Sequence, residues 1–295
     1  MKIGYPCINR SIGCKASSTF RLASCSEERI KSAAVNNLEC LSRILEFNAD
    51  KGLLFFRISS DIVPFASHPV CTFKWKSYFR KRFRQVGRLI KGHGFRISMH
   101  PDQFIVLNSP DEDVVKRSMA ELEYHADLME LLGLDAKAKI QLHVGGAYGD
   151  KESAVERFIQ NHSILKPKVR SRLVIENDER LYSAKDCLEI SERAGIPVLF
   201  DSFHHSLLNK GESISDALRY ASKTWRRKDG ILMVDYSSQK KGSRPGTHAE
   251  SLDKRDFRNF LDSSNGIDFD LMLEIKDKEK SALNALDILV YRSMI

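Results

Sequence analysis

Histidines and carboxylates recur at matching places along this chain, each closing a short apolar run or following it within a few residues. His100 stands in SMHPDQF, His143 in QLHVGG, Glu176 in VIENDER, Asp201 in LFDSFHH with His204 three residues on, Asp235 in VDYSSQ and Glu274 in LMLEIK. His68 precedes Pro69 in a long connection, and His248 lies in PGTHAE. One carboxylate closing a buried run is read as half of an ion pair, because an uncompensated buried charge is costly. Four in succession, interleaved with imidazoles, favour divalent cations instead. A mixed shell of this kind suits Mn²⁺ or Zn²⁺, whereas an all-oxygen shell would suit Mg²⁺ or Ca²⁺. Grouped cations acidify a bound water and neutralise an attacked phosphate, so the chemistry indicated is metal-assisted hydrolysis.

The runs that must position these groups span residues 2–6, 53–58, 95–99, 139–144, 172–176, 198–201, 231–235 and 271–275. Stretches long enough for a helix and two loops separate them. Eight β-then-α units are what a TIM (β/α)8 barrel requires, and its chemistry sits at the C-terminal ends of the strands. Near-continuous apolar strands such as LVIE and VLFD fit a parallel sheet covered on both sides. Helix signals fall between the runs. Ser26 opens an apolar-periodic segment that stops before Gly52, and Ser109, Ser183 and Ser213 each read as the start of a capping box. A last helix spans about residues 279–294. The expectation is one α/β barrel domain over residues 1–295.

The chain has 47 Lys and Arg against 39 Asp and Glu, a net charge of +8, which points to a polyanionic partner. The basic residues cluster at 74–91, at 223–228, and at Lys240, Lys241 and Arg244 in the loop after the seventh run. The first two clusters read equally well as solvated helix faces; the third lies on the rim, where it attracts phosphates. Six cysteines with no CxxC pair imply free thiols in a reducing compartment. No run is long enough to span a membrane and the first residues lack a signal-peptide core, so a cytoplasmic monomer is expected. No GxSxG, P-loop or GxGxxG motif directs the reading elsewhere. His93, His125 and His162 fall on helices and are expected at the surface, with His205 in the core or supporting the site.

At these residues the chain resembles the UV damage endonucleases, metal-dependent DNA repair nucleases related to the endonuclease IV group. The similarity extends over nearly the whole length and is most specific at IGYPCIN, FRISSD, ISMHPDQF, LHVGG, VIENDER, LFDSFHH and VDYSSQ. It implies a TIM barrel with two or three divalent ions, commonly Mn²⁺, acting on UV-damaged double-stranded DNA. The implied cut is immediately 5′ of a pyrimidine dimer or 6-4 photoproduct, leaving 3′-hydroxyl and 5′-phosphate ends. The implied metal shell is His68, His100, His143, Glu176, Asp201, His204, Asp235, His248 and Glu274, with catalysis resting on His143, Glu176, Asp201 and Glu274. Gln103 and Phe104 correspond to a Gln–aromatic pair that probes the duplex, although Phe104 also begins the apolar run 104–107 and reads equally as core; from their places at the rim, Tyr5 and Asn9 are read as walls of the lesion pocket and Lys240, Lys241 and Arg244 as phosphate grips. Two positions depart from the pattern: Gly246 stands where the endonuclease IV relatives carry an aspartate, and Met233 where some UV endonucleases carry a lysine. A sugar isomerase on a similar barrel and an abasic-site endonuclease are the alternatives.

Overall fold

Eight short strands pair in chain order and close into a parallel barrel: β1 (Ile3–Pro6), β2 (Phe55–Ile58), β3 (Arg96–Met99), β4 (Lys139–His143), β5 (Leu173–Glu176), β6 (Val198–Asp201), β7 (Leu232–Tyr236) and β8 (Phe269–Leu273). This computed structural model describes residues 1–293. Among the described residues ten α-helices accompany the strands: α1 (Glu27–Lys51), α2 (Trp75–Gly92), α3 (Glu112–Leu131), α4 (Lys151–Ser163), α5 (Pro167–Arg170), α6 (Ala184–Ala194), α7 (Ser202–Leu207), α8 (Ile214–Thr224), α9 (Lys254–Ser263) and α10 (Glu279–Ser293). The expected TIM barrel is the observed fold.

Strand side chains alternate between two faces, and here the alternation builds the barrel interior in layers. Phe55, Val174, Leu199, Met233 and Met272 form an apolar plug separate from the main core. Two residues further along the same strands come Arg57, Glu176, Asp201, Asp235 and, just past β8, Glu274. One period of the strand repeat therefore turns a dry plug into a polar floor at the rim. Met233, where some relatives carry a lysine, belongs to the plug and is fully buried. At the opposite end, Lys139 pairs with Asp229 at 2.6 Å and Arg96 with Asp270 at 3.3 Å, so these four buried charges are paired. Outward-facing residues such as Tyr5, Phe56 and Ile97 pack under the helices.

Caps fix the helices as the sequence implies, with exceptions. The Ser26 side chain accepts from the Arg29 amide at the start of α1, and Gly52 closes that helix at φ 73°, a left-handed conformation open to glycine at little cost. Ser183 and Asp186 complete a capping box at α6. Ser109 does not cap α3: Asp111 does, accepting from Asp113 and Val114, while Ser109 accepts from the Asp111 amide one turn earlier. The eighth strand begins two residues before the expected run, and the last helix is described only to Ser293, so Met294 lies outside the described residues. Cys14 and Cys40 form a disulfide joining the loop after β1 to α1, which corrects the expectation of six free thiols. His125 and His162 are buried, not at the surface. His125 lies on the same helix face as Leu122 and Met129, three and four residues away, which is the apolar face of α3.

Candidate functional site

The polar floor at the rim centres on Glu176, which is 1% exposed and whose two oxygens face different histidines. Oε2 lies 3.4 Å from Nε2 of His100, and Oε1 lies 3.9 Å from Nε2 of His143 and 3.6 Å from Nδ1 of His204. Two groups of three follow: His100, His143 and Glu176, and Glu176, Asp201 and His204, each with ligand atoms within 4.8 Å of one another. Glu176 belongs to both. The local sequence explains the second group. Asp201 ends β6 and caps α7, its Oδ1 accepting from the His204 amide at 2.8 Å. That cap folds the first turn of α7 back so that His204 faces Asp201 and Glu176.

The donor set fits divalent cations. Oδ2 of Asp201 and Oδ1 of Asp235 are buried with no hydrogen-bond partner among the described residues, as are Nδ1 of His100 and Nδ1 of His143. Nδ1 of His204 lies 3.0 Å from the Asn177 carbonyl, and Nδ1 of His248 lies 2.8 Å from the Glu274 carbonyl. The His248 ring, donating to that carbonyl through Nδ1, keeps its Nε2 lone pair for a metal, the usual way a protein orients a histidine ligand; His204 instead turns Nδ1 toward Glu176 and Asp201 and Nε2 toward Glu179 at 3.8 Å. Burial favours the neutral form of Glu176, yet His143, His100 and His204 outweigh it and hold the carboxyl well below the usual carboxylate range. Burial also opposes charge on His204, but Asp201, Glu176 and Glu274 raise it to about 10. Asp201 is pushed up to about 7 by burial, with His204 pulling the other way. Negative charge thus exceeds what the nearby side chains compensate.

Arg57 supplies part of the compensation. Its Nη2 meets Oδ2 of Asp235 at 2.5 Å and its Nη1 meets Oε1 of Glu274. Burial works against the guanidinium charge, but the two carboxylates outweigh it, and Arg57 in turn holds Glu274 at about 2 against the pull of burial. Gln141 completes the network, its Nε2 donating to Oε2 of Glu176 and to Oδ2 of Asp235, each at 2.8 Å. Asp235 and Glu274 are therefore near the site but engaged by Arg57, and neither falls in the two triads. The side chain of Asn177, next to Glu176, is held to the backbone of Asp201, its Nδ2 donating to the Asp201 carbonyl and its Oδ1 accepting from the Asp201 amide, each at 2.9 Å. Gln141 does not stand out in the sequence; its signal is the two-residue step before His143 on β4, which puts both on one face.

Other expected site residues scatter more widely. His68 is exposed and outside both triads, its Nδ1 accepting from the Val70 amide at 3.0 Å. It lines a cleft of about 980 Å3 that reaches His143 and includes Gln103, Phe104, Tyr148 and Arg180. Phe104 is 67% exposed beside an exposed Gln103, which removes the core role that its apolar neighbours allowed. Tyr5 and Asn9 are not pocket walls in this structure. The Tyr5 hydroxyl donates to Asn48 of α1 at 2.6 Å and accepts from Asn9 at 2.8 Å, and both residues are buried. The register explains the difference: Tyr5 pairs with the outward Phe56, whereas Pro6 pairs with the inward Arg57. In the loop after β7, Lys240 pairs with Glu250 at 2.7 Å and Lys241 approaches Asp253 at 3.6 Å, while Arg244 has no ion pair among the described residues.

The family described as UV-endonuclease UvdE matches residues 1–294. A UV DNA damage endonuclease of Clostridium perfringens is 37% identical over 98% of this chain and 71% of that protein. One from Bacillus thuringiensis is 33% identical over 87% of this chain and 82% of that protein. Among solved structures, the crystal structure of SacUVDE superposes with a TM-score of 0.95 at 47% identity, covering 100% of both chains. An L-ribulose 3-epimerase superposes at a TM-score of 0.58 with 16% identity, over 99% of this chain and 94% of its own, a likeness of fold alone.

Proposed function

The chain belongs to the UV-endonuclease UvdE family, and from that premise we propose that it is a metal-dependent DNA repair endonuclease acting on UV-damaged duplex DNA. The proposed cut falls immediately 5′ of a cyclobutane pyrimidine dimer or 6-4 photoproduct and leaves 3′-hydroxyl and 5′-phosphate ends. The observation that carries this reading is Glu176, shared by two ligand triads at the rim of the barrel. His100 and His143 would hold one cation with Glu176, and Asp201 and His204 a second, with His248 and Glu274 adjacent. Mn²⁺ suits this mixture of nitrogen and oxygen donors. When bound, such cations supply an acidified water and neutralise charge on the phosphate and the leaving oxygen.

The side chains divide the remaining work. Glu176 stays ionised and fixes the spacing of the two triads. Asp201, whose Oδ2 has no hydrogen-bond partner among the described residues, would hold the second cation together with His204. Arg57 holds Glu274 in place, and Gln141 holds Glu176, so the ligand carboxylates keep one orientation before DNA arrives. His68 lines the cleft beyond His143 and would approach the site only with a change in its loop. Gln103 and Phe104, exposed beside the cleft, have the shape and exposure to enter a duplex weakened by a lesion. Arg244 is the cation of its loop most available to a phosphate.

UV-irradiated supercoiled plasmid tests the proposal. Incubation with the protein and Mn²⁺ should convert it to the nicked form, with little action on unirradiated plasmid and none in chelator. The new 3′ ends should be extended by a polymerase without trimming. Nicking indifferent to irradiation, or undiminished by chelation, would overturn it.

A further inference from the structure

The positive charge of this protein is concentrated on one helix. α2 carries seven basic residues and no acidic one, leaving a net charge of +1 for the rest of a chain whose total is +8. Trp75, Phe79, Phe83, Val86 and Ile90 are buried against the barrel, so the opposite face is fixed outward by packing. At the helical repeat, Arg80, Lys81, Arg84 and Arg88 fall within one outward stripe, and all four are exposed. The flanking cations are engaged: Lys76 pairs with Asp127 of α3, and Arg82 with Glu39 of α1 at 3.2 Å. The four central ones have no ion pair among the described residues. An ordinary solvated helix face mixes both signs; this one does not.

We infer that the outward stripe of α2 is a second nucleic-acid contact, holding the phosphate backbone of duplex DNA that extends beyond the segment engaged at the rim. This rests on the reading of DNA as the substrate. The chain enters α2 from the rim-side loop after β2, so the stripe begins near the rim and runs down the barrel flank. Arg80, Arg84 and Arg88 are spaced about 6 Å apart along the helix, close to two steps of ~3.4 Å along one strand of B-form duplex. The stripe offers guanidinium and ammonium groups with no aromatic or amide at its centre to read bases, so its grip is independent of sequence and of damage. An anionic membrane is a poorer partner, because the apolar face such a helix would insert is buried in the protein.

The test uses the full chain with Arg80→Gln, Lys81→Gln, Arg84→Gln and Arg88→Gln combined, compared on a long undamaged duplex and on a short duplex carrying a lesion. On the long duplex the slope of log affinity against log salt should fall by about 0.9 for each phosphate that is no longer neutralised, approaching 3 to 4 in all. Nicking of the short lesion duplex should keep its wild-type rate. The pair Lys76→Gln and Arg82→Gln, whose charges are engaged within the protein, should shift the slope far less. An unchanged slope on the long duplex would overturn the inference, as would an equal loss on both duplexes. Failure of the wild type to nick the short lesion duplex would instead count against the nuclease reading, since the salt slope is measured without catalysis.

Discussion

Arg57 and Asp235 meet inside the barrel at 2.5 Å, although 178 residues separate them and neither side chain is more than 4% exposed. The same guanidinium reaches Glu274, so one buried cation from β2 is set against carboxylates from β7 and the end of β8. Removing one member of a buried pair leaves the other charged and desolvated, which typically costs about 3–5 kcal/mol. Arg57→Met should therefore destabilise the protein by an amount of that order in denaturant unfolding. Added Mn²⁺ should recover part of the loss, because the freed carboxylates become available as ligands. Unfolding that matches wild type without metal would show that the pair contributes nothing to stability.

Glu176→Gln keeps the shape of the central side chain and removes its charge. Nicking should fall by orders of magnitude, and the number of Mn²⁺ bound per chain should drop, because both triads lose their shared ligand. The Gln141 amide would then face another amide instead of the Oε2 carboxylate at 2.8 Å. Activity within about tenfold of wild type, a change of only ~1.4 kcal/mol in barrier, would refute the central role.

Much of this arrangement was legible in the sequence because strand residues carry two signals at once. A buried parallel strand reads as an apolar run, and the polar residue that ends it stands out. His100, His143, Glu176, Asp201 and His204 stand out in this way, and the structure brings all five together. The partner of Arg57 was not legible, since it depends on which strands the closed barrel sets opposite one another. Tyr5 differs from expectation by a single residue of parity: the end of a run is visible in sequence, but the side on which its last residues emerge is fixed by register with β2. His125 and His162 differ because a polar residue on a helix is expected to face water, when neighbours three and four positions away set its direction.

Burial of His162 has a consequence for stability. With Arg170 nearby adding to the effect of burial, its pKa falls from 6.5 to about 4. The unfolded chain therefore binds a proton between those values while the folded protein does not. Stability is unaffected by this residue above about pH 6.5 and declines as pH falls toward 4, by up to about 2–3 kcal/mol. His162→Gln should flatten that part of the stability curve while lowering its plateau by whatever packing is lost. An identical pH slope in the two proteins, measured by denaturant unfolding between pH 7 and about 4, would assign the acid sensitivity elsewhere.

Gln103 and Phe104 follow the candidate ligand His100 by three and four residues and stand exposed beside the cleft, with Phe104 67% accessible. A large exposed aromatic on a short rim loop contributes little to folding, so its removal separates recognition from stability. An amide can pair with base edges and a ring can stack in the gap left when nucleotides leave the helix. A lesion-distorted duplex opens at a lower cost than an intact one, by a few kcal/mol, and that difference is what such a probe can read. The double substitution Gln103→Ala and Phe104→Ala should leave thermal stability and bound Mn²⁺ unchanged. Discrimination between irradiated and intact duplex should collapse, with affinity for the two converging on the value for intact DNA. Discrimination that survives the double substitution would move lesion recognition to other residues of the cleft, with Tyr148 and Arg180 the next to be tested.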